Sequence, residues 1–174
     1  MTSHLPVSGF LAEDHALLDG LLERAVRDPR AVEAGAYGEF RARLLRHIAI
    51  EEKILFPAIR SARAGEPHPD WVRLRIDHGA ITSLLVPPPT PELVRELRSI
   101  LVPHNAVEEA AGGVYDAADR LLGAETAATL QRMRDYPPVK VAPHRDGPRV
   151  LHRAEDALRV SAMQFDRKPP RREG

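Results

Sequence analysis

The sequence predicts an all-α fold: an antiparallel four-helix bundle in up-down-up-down order, with a short extra helix and a C-terminal tail. Three observations predict it. Apolar residues recur at helical spacing through most of the first 123 residues, and strand-like alternation is scarce. Four such segments of roughly 17–30 residues are joined by short Pro- and Gly-rich connections, as in a bundle. The chain has 174 residues, 43% of them hydrophobic, which suits one core with a modest appendage.

Each element follows from its own residues. Ser8 is an N-cap for a first helix running to about Asp28, before Pro29. Its inward stripe is Leu11, His15, Leu18, Leu22 and Ala25. The second helix runs from about Ala36 to Ala64 and ends near Gly65, with Phe40, Leu44, His47, Glu51, Leu55 and Ala58 inward. The third starts at about Asp70 and ends before Pro87, with Trp71, Leu74, His78, Ile81 and Leu85 inward. Thr90 caps the fourth, with Pro91 at its first helical position and Gly123 as its stop. Its stripe is Leu97, Ile100 or Leu101, His104, Glu108, Ala111 and Tyr115. A short helix from Ala124 to Asp135 completes a bundle region of residues 1–136.

The texture changes at Pro137. Residues 137–174 carry nine Lys or Arg against five Asp or Glu, and prolines at 137, 138, 143, 148, 169 and 170. Val150 to Phe165 suits one amphipathic helix. This tail is either partly disordered and loosely attached, or docked over the acidic bundle.

Composition excludes several function classes. Twenty-five basic residues balance twenty-five acidic ones, which argues against a dedicated nucleic-acid binder. With no cysteine, disulfides, thiolate metal sites and Cys nucleophiles are excluded. No apolar run reaches the ~18 residues of a membrane span, and Met1 to Phe10 lacks the charged and apolar regions of a signal peptide. A cytoplasmic protein without membrane association is expected. No glycine-rich phosphate loop of the required form is present, and Ser-His-Asp catalysis has no support.

The histidines carry the chemistry. His15, His47, His78 and His104 fall one per predicted long helix, each on the apolar stripe. His47 and His104 lie four residues before Glu51 and Glu108, one turn along the same face. The order also repeats. Asp14-His15 precedes His47-x-x-x-Glu51-Glu52, and Asp77-His78 precedes His104-x-x-x-Glu108-Glu109. This suggests an internal duplication around a pseudo-twofold site. Uncompensated carboxylates and imidazoles in a bundle core cost several kcal/mol or more. Cations compensate them: two carboxylates can each bridge two metals, and four imidazoles can cap them. Mixed nitrogen and oxygen donors suit iron, manganese or zinc.

These residues resemble a known family, the hemerythrin-like domains of the His-His-Glu (HHE) cation-binding type. The resemblance covers about residues 8–123 and is carried by Arg46-His47-Ile48-Ala49-Ile50-Glu51-Glu52-Lys53-Ile54-Leu55-Phe56-Pro57, close to the signature HxxxEExxLFP. It implies a four-helix bundle with an oxo- or hydroxo-bridged non-haem di-iron centre. His15, His47, His78 and His104 would be terminal ligands, and Glu51 and Glu108 would bridge. Two departures stand out. The fifth histidine of oxygen-carrying members is missing, since Leu74 and Thr82 flank His78 by one turn. The LFP-like run is also absent after Glu109. Gly112-Gly113 there predicts a π-bulge or break, and Pro103 a kink.

The resemblance implies binding or turnover of a small ligand (O2, NO or peroxide) at open iron positions. The alternatives are an iron-dependent sensor, store or donor working through a partner, and a structural bundle with incidental zinc. Tyr115, seven residues past Glu108, could hydrogen-bond a bound oxygen species. Asp14, Asp77, Glu52 and Glu109 adjoin candidate ligands, but successive residues on a helix point apart, so they are solvated or supporting. His4 and His68 read as surface or loop residues. His144 and His152 would reach the site only if the tail folds back.

Overall fold

The computed structural model describes residues 6–167; His4 and residues 168–174 lie outside them. Helix α1 (Val7–Ala25) starts one residue before the expected cap: Pro6 holds the cap position and Ser8 is inside the helix. The free Ser8 N–H donates to Asp119 Oδ1 at 3.3 Å, so a carboxylate distant in sequence does the capping. Helix α2 (Ala34–Ile50) begins at Glu33, whose carboxylate accepts from the Gly35 and Ala36 N–H groups at 2.7 and 2.6 Å.

The chain then continues through a π-helical stretch, Glu51–Leu55, into α3 (Phe56–Ala62). Together these form the single long second helix that the periodicity predicts. The Phe56 N–H reaches back to Glu51 O, and Pro57 carries no N–H to restore the tighter pattern. The π-helical turn therefore lies beside Glu51, in the first repeat; the expectation placed such an irregularity only in the second.

Helix α4 (Trp71–Leu84) is followed by the Pro-rich connection, and α5 (Pro91–Glu109) opens with Thr90 Oγ1 accepting from the Leu93 N–H at 3.1 Å. Helix α5 runs through Pro103 without ending there. It stops at Ala110, and α6 (Val114–Leu121) resumes after Gly113, so the second repeat has a break. Ala111, expected inward, is exposed because this break turns it out. A 3₁₀ turn, Gly123–Glu125, leads into α7 (Thr126–Arg134).

Helix α8 (Ala154–Arg167), the amphipathic tail segment, lies against α4 and α5. Ser161 Oγ donates to Ile76 O at 2.7 Å and packs onto Gly79, where a Cβ would collide with it. Farther back, Arg41 donates to Ala142 O at 2.7 Å, and the Arg145 N–H to Val86 O at 3.1 Å. No strand occurs among the described residues, and none of their helices is long and apolar enough to cross a membrane.

The buried apolar residues form two clusters. One gathers Leu18, Leu22, Phe40, Leu44, Ile48, Ile81, Leu97 and Leu101. The other gathers Leu11, Ile50, Leu55, Leu74, Val114 and Ala118. On α1 and α4 a histidine stands between the two clusters, and on α5 His104 and Glu108 follow the last residue of the first; on α2 His47 and the adjoining Glu51 flank the changeover at Ile48 and Ile50. A polar layer thus lies across the middle of the core with apolar residues on both sides.

Candidate metal centre

His15, His47, Glu51, His78, His104 and Glu108 meet in that layer, and all six are buried, the two glutamates completely. Among the described residues they form two groups of four that could hold a cation: His15, His47, Glu51 and Glu108, and His78, His104, Glu51 and Glu108. Within each group the ligating atoms lie within 4.8 Å of one another. All six residues proposed from the sequence are brought together.

The two carboxylates straddle the groups. Glu51 turns Oε1 to His47 Nε2 at 3.3 Å and Oε2 to His78 Nε2 at 3.2 Å. Glu108 turns Oε2 to His15 Nε2 at 3.5 Å and Oε1 to His104 Nε2 at 3.2 Å. In the first group His15 Nε2 and His47 Nε2 face each other at 3.0 Å. In the second, His78 and His104 stand with ring centroids 4.8 Å apart, and Phe56 stacks on His78 at 5.9 Å.

Each imidazole is held by a carboxylate from the neighbouring helix. His47 Nδ1 donates to Asp14 Oδ2 at 2.8 Å, and His78 Nδ1 to Glu52 Oε1 at 2.9 Å. His104 Nδ1 donates to Asp77 Oδ2 at 3.2 Å, and His15 Nδ1 to Glu109 Oε1. The four contacts close a ring: α1 to α2, the π-helical stretch after α2 to α4, α4 to α5, and α5 back to α1. Adjacent residues on a helix do point apart, and that is the reason for the pattern: Asp14 points away from His15 and so reaches His47. From the sequence these four carboxylates read as solvated or supporting, and which imidazole each one meets stays open, because the spacing shows only what each does on its own helix. The signal was the repeat itself, Asp-His followed by His-x-x-x-Glu-Glu. With Nδ1 engaged, Nε2 is left as the ligating atom of each ring.

Charge in the layer is strongly coupled. Burial disfavours protonation of His47, but Glu51, Asp14 and Glu108 outweigh it and raise its pKa well above the usual imidazole value. His104 is likewise opposed by burial and is pushed up to about 10 by Asp77, Glu108 and Glu51. Burial would raise Glu51, yet His47 and His78 hold it well below the carboxylate range. Glu51 is held as the anion while His47 and His104 are held protonated, so protons occupy positions that a cation could take.

Within this layer three buried side-chain atoms have no hydrogen-bond partner: Glu51 Oε2, His78 Nε2 and Glu108 Oε1. All three face the second group. An orphaned buried polar atom costs about 1–3 kcal/mol, and a cation ligated by all three removes that cost. The donor set also suits a hard or borderline cation, with imidazole nitrogen and carboxylate oxygen and no thiolate. The residues fit a pair of metal ions.

Tyr115 enters the layer from α6. Its hydroxyl donates to Glu51 Oε1 at 2.6 Å and lies 3.1 Å from Glu108 Oε2. Burial and these two carboxylates raise its pKa well above the usual phenol value, so it carries its proton. His68 is in a loop as expected but is not at the surface: it is 8% exposed, and its Nε2 donates to Gly112 O at 3.1 Å. His144 packs on Tyr37 with centroids 6.1 Å apart, and His152 pairs with Asp146 at 3.2 Å, so neither approaches the layer.

The fold and site define a helical protein with a buried histidine–glutamate centre built to hold cations. The hemerythrin HHE cation-binding domain matches residues 7–113, and the chain belongs to that family. Comparison with curated proteins and with solved structures returned no match.

Proposed function

We propose that the protein is a non-haem di-iron protein that binds or turns over a small ligand such as O2, NO or peroxide. The observation that carries this reading is the straddling of Glu51 and Glu108, each offering one oxygen to each histidine pair. Two carboxylates shared in this way suit two metals side by side better than one. His15 and His47 would hold one ion, His78 and His104 the other. Iron bound there would supply a redox-active position at which a small ligand can replace a weakly held one.

The remaining groups orient, shield and hold protons. Asp14, Glu52, Asp77 and Glu109 fix each imidazole with Nε2 inward. Leu18, Phe40, Leu44, Ile48, Ile81 and Leu101 wall a cavity that also touches His15, His47 and His104. Its volume is about 10 Å³, room for about one water-sized molecule. That size favours a diatomic or peroxide over an organic substrate. Asp19 and Asn105 line the same cavity and are its polar residues besides the histidines. The Tyr115 hydroxyl lies against both shared carboxylates, Glu51 and Glu108.

This reading takes the long helices as an antiparallel up-down-up-down bundle. Pairing of α1 with α2 and of α4 with α5 across short connections, and of α1 with α5, supports that order. It also takes residues 137–174 as an appendage to the bundle, and the location as cytoplasmic. The test is to expose the reduced, iron-loaded protein to O2, NO and peroxide separately and record its spectrum. A change with at least one is expected. A spectrum unchanged by all three overturns the reading.

A further inference from the structure

The two halves of the site repeat their histidines and glutamates but differ in what stands two turns beyond each glutamate. Seven residues past Glu108 stands Tyr115; seven past Glu51 stands Ala58, which has no ligating atom. The first group therefore has a neighbour that the second lacks. The Tyr115 oxygen lies 3.1 Å from His15 Nε2, 3.4 Å from His47 Nε2, 2.6 Å from Glu51 Oε1 and 3.1 Å from Glu108 Oε2. Those are the four inward atoms of the first group. The phenol oxygen can donate one proton and accept from imidazole N–H groups, so these contacts are hydrogen bonds only while a ring Nε2 keeps a proton, which a cation ligated by both Nε2 atoms would displace. An oxygen within 2.6–3.4 Å of four inward atoms stands where a fifth donor to a cation among them would stand. At the second group, where the three orphaned atoms lie, the aromatic neighbour is Phe56, which has no donor.

Backbone geometry fixes this placement. Gly112 has φ +81°, and a Cβ on Gly113 would meet Val107 O, Glu108 O and Ala110 O at 2.5, 2.7 and 3.0 Å. Only glycines let α5 end and α6 begin so close to Glu108. Tyr115 is then 1% exposed and aimed inward. It lies beyond the family match, which ends at residue 113.

The geometry points to Tyr115 Oη as a direct protein ligand of the metal held by His15 and His47, making the pair chemically unequal. This rests on the di-metal reading above. The first position then has five protein donor atoms and the second has four. Ligation breaks the phenol O–H bond and forms an oxygen–metal bond; the proton leaves to solvent, and no electron is transferred. The second position then has one protein donor fewer and keeps a place free for a small ligand; of its two histidines, His104 is the one that the cavity touches.

The test uses the full chain loaded with ferric iron. Iron content, visible absorption and resonance Raman scattering are measured on the native protein and on Tyr115→Phe, with Tyr136→Phe as control. A phenolate-to-iron charge-transfer band with enhanced tyrosine ring modes is expected in the native protein and in Tyr136→Phe. It should be lost in Tyr115→Phe while iron content is retained. Iron bound without the band in the native protein, or a band that survives in Tyr115→Phe, overturns the ligand and leaves the di-metal reading intact. Failure of the native protein to bind iron overturns both. Should Tyr115→Phe not fold, the native protein grown with ring-deuterated tyrosine decides: shifted ring modes support the ligand, and their absence removes it.

Discussion

A single buried carboxylate can answer to two masters. Glu51 gives one oxygen to each half of the site, so Glu51→Ala should impair both positions together. The outer carboxylates act differently, since each holds one imidazole. Asp14→Asn and Glu109→Gln loosen His47 and His15, whereas Glu52→Gln and Asp77→Asn loosen His78 and His104. Loss of such a partner lowers metal affinity by roughly 10–100-fold. Competition titrations against a chelator should show one weakened site and one near-normal site in each variant. Equal weakening of both sites would contradict the paired assignment.

Protonation in the metal-free protein gives a further residue-scale prediction. His47, His78 and His104 are raised from 6.5, so their stabilisation is complete below pH 6.5 and is lost as pH rises through the raised values, about 10 for His104. Glu51 is lowered from 4.5, so its contribution is complete above pH 4.5 and is lost as pH falls through its lowered value. The metal-free protein should be most stable between pH 4.5 and 6.5 and should melt progressively lower on the alkaline side. Metal loading should remove the alkaline loss, because neutral imidazoles are then the ligating form. Thermal melts across pH, with and without metal, check the sign.

At the scale of the element, caps and breaks separate stability from site geometry. Thr90 caps α5 far from the polar layer, so Thr90→Ala should cost about 1 kcal/mol and leave metal content unchanged. Gly113→Ala is a different case. Its Cβ has no room against three carbonyl oxygens, so the turn before α6 must shift and carry Tyr115 with it. A loss of about 1–3 kcal/mol is expected for such overpacking, together with an altered metal spectrum. Denaturant melts and spectra of the two variants distinguish a capping effect from a positional one.

The four ligand-bearing helices were legible because each stripe repeats at helical spacing and places one histidine among leucines. The start of α1 was not: Ser8 has the chemistry of a cap, but Asp119 does that work from another helix. Position along the chain carries no trace of such a partner. The π-helical turn at Glu51–Leu55 was hidden for a similar reason. Pro57 was visible, but the turn depends on how the carbonyl ladder reorganises in front of it.

At the scale of the whole molecule, the centre divides the core into two apolar clusters bound by a shared polar layer. The six inward residues were readable in the sequence; the pairings of the outer carboxylates were not, since each link crosses between helices. The tail is coupled to this arrangement through α4, which carries Asp77 and His78. Gly79→Ala would drive Ser161 off α4 at a cost of about 1–3 kcal/mol, or about 2–12 °C in Tm for a chain of this size. An unchanged melting temperature would mean that α8 contributes little to the bundle.

The most direct test of the central claim is metal stoichiometry. Protein produced in iron-replete cells and purified without metal-binding tags should contain about two irons per chain, and Glu51→Ala with Glu108→Ala should contain close to none. One zinc per chain, or native and doubly substituted proteins with equal metal content, would contradict the account: the buried histidines and glutamates would then form a structural polar layer and not a di-metal centre.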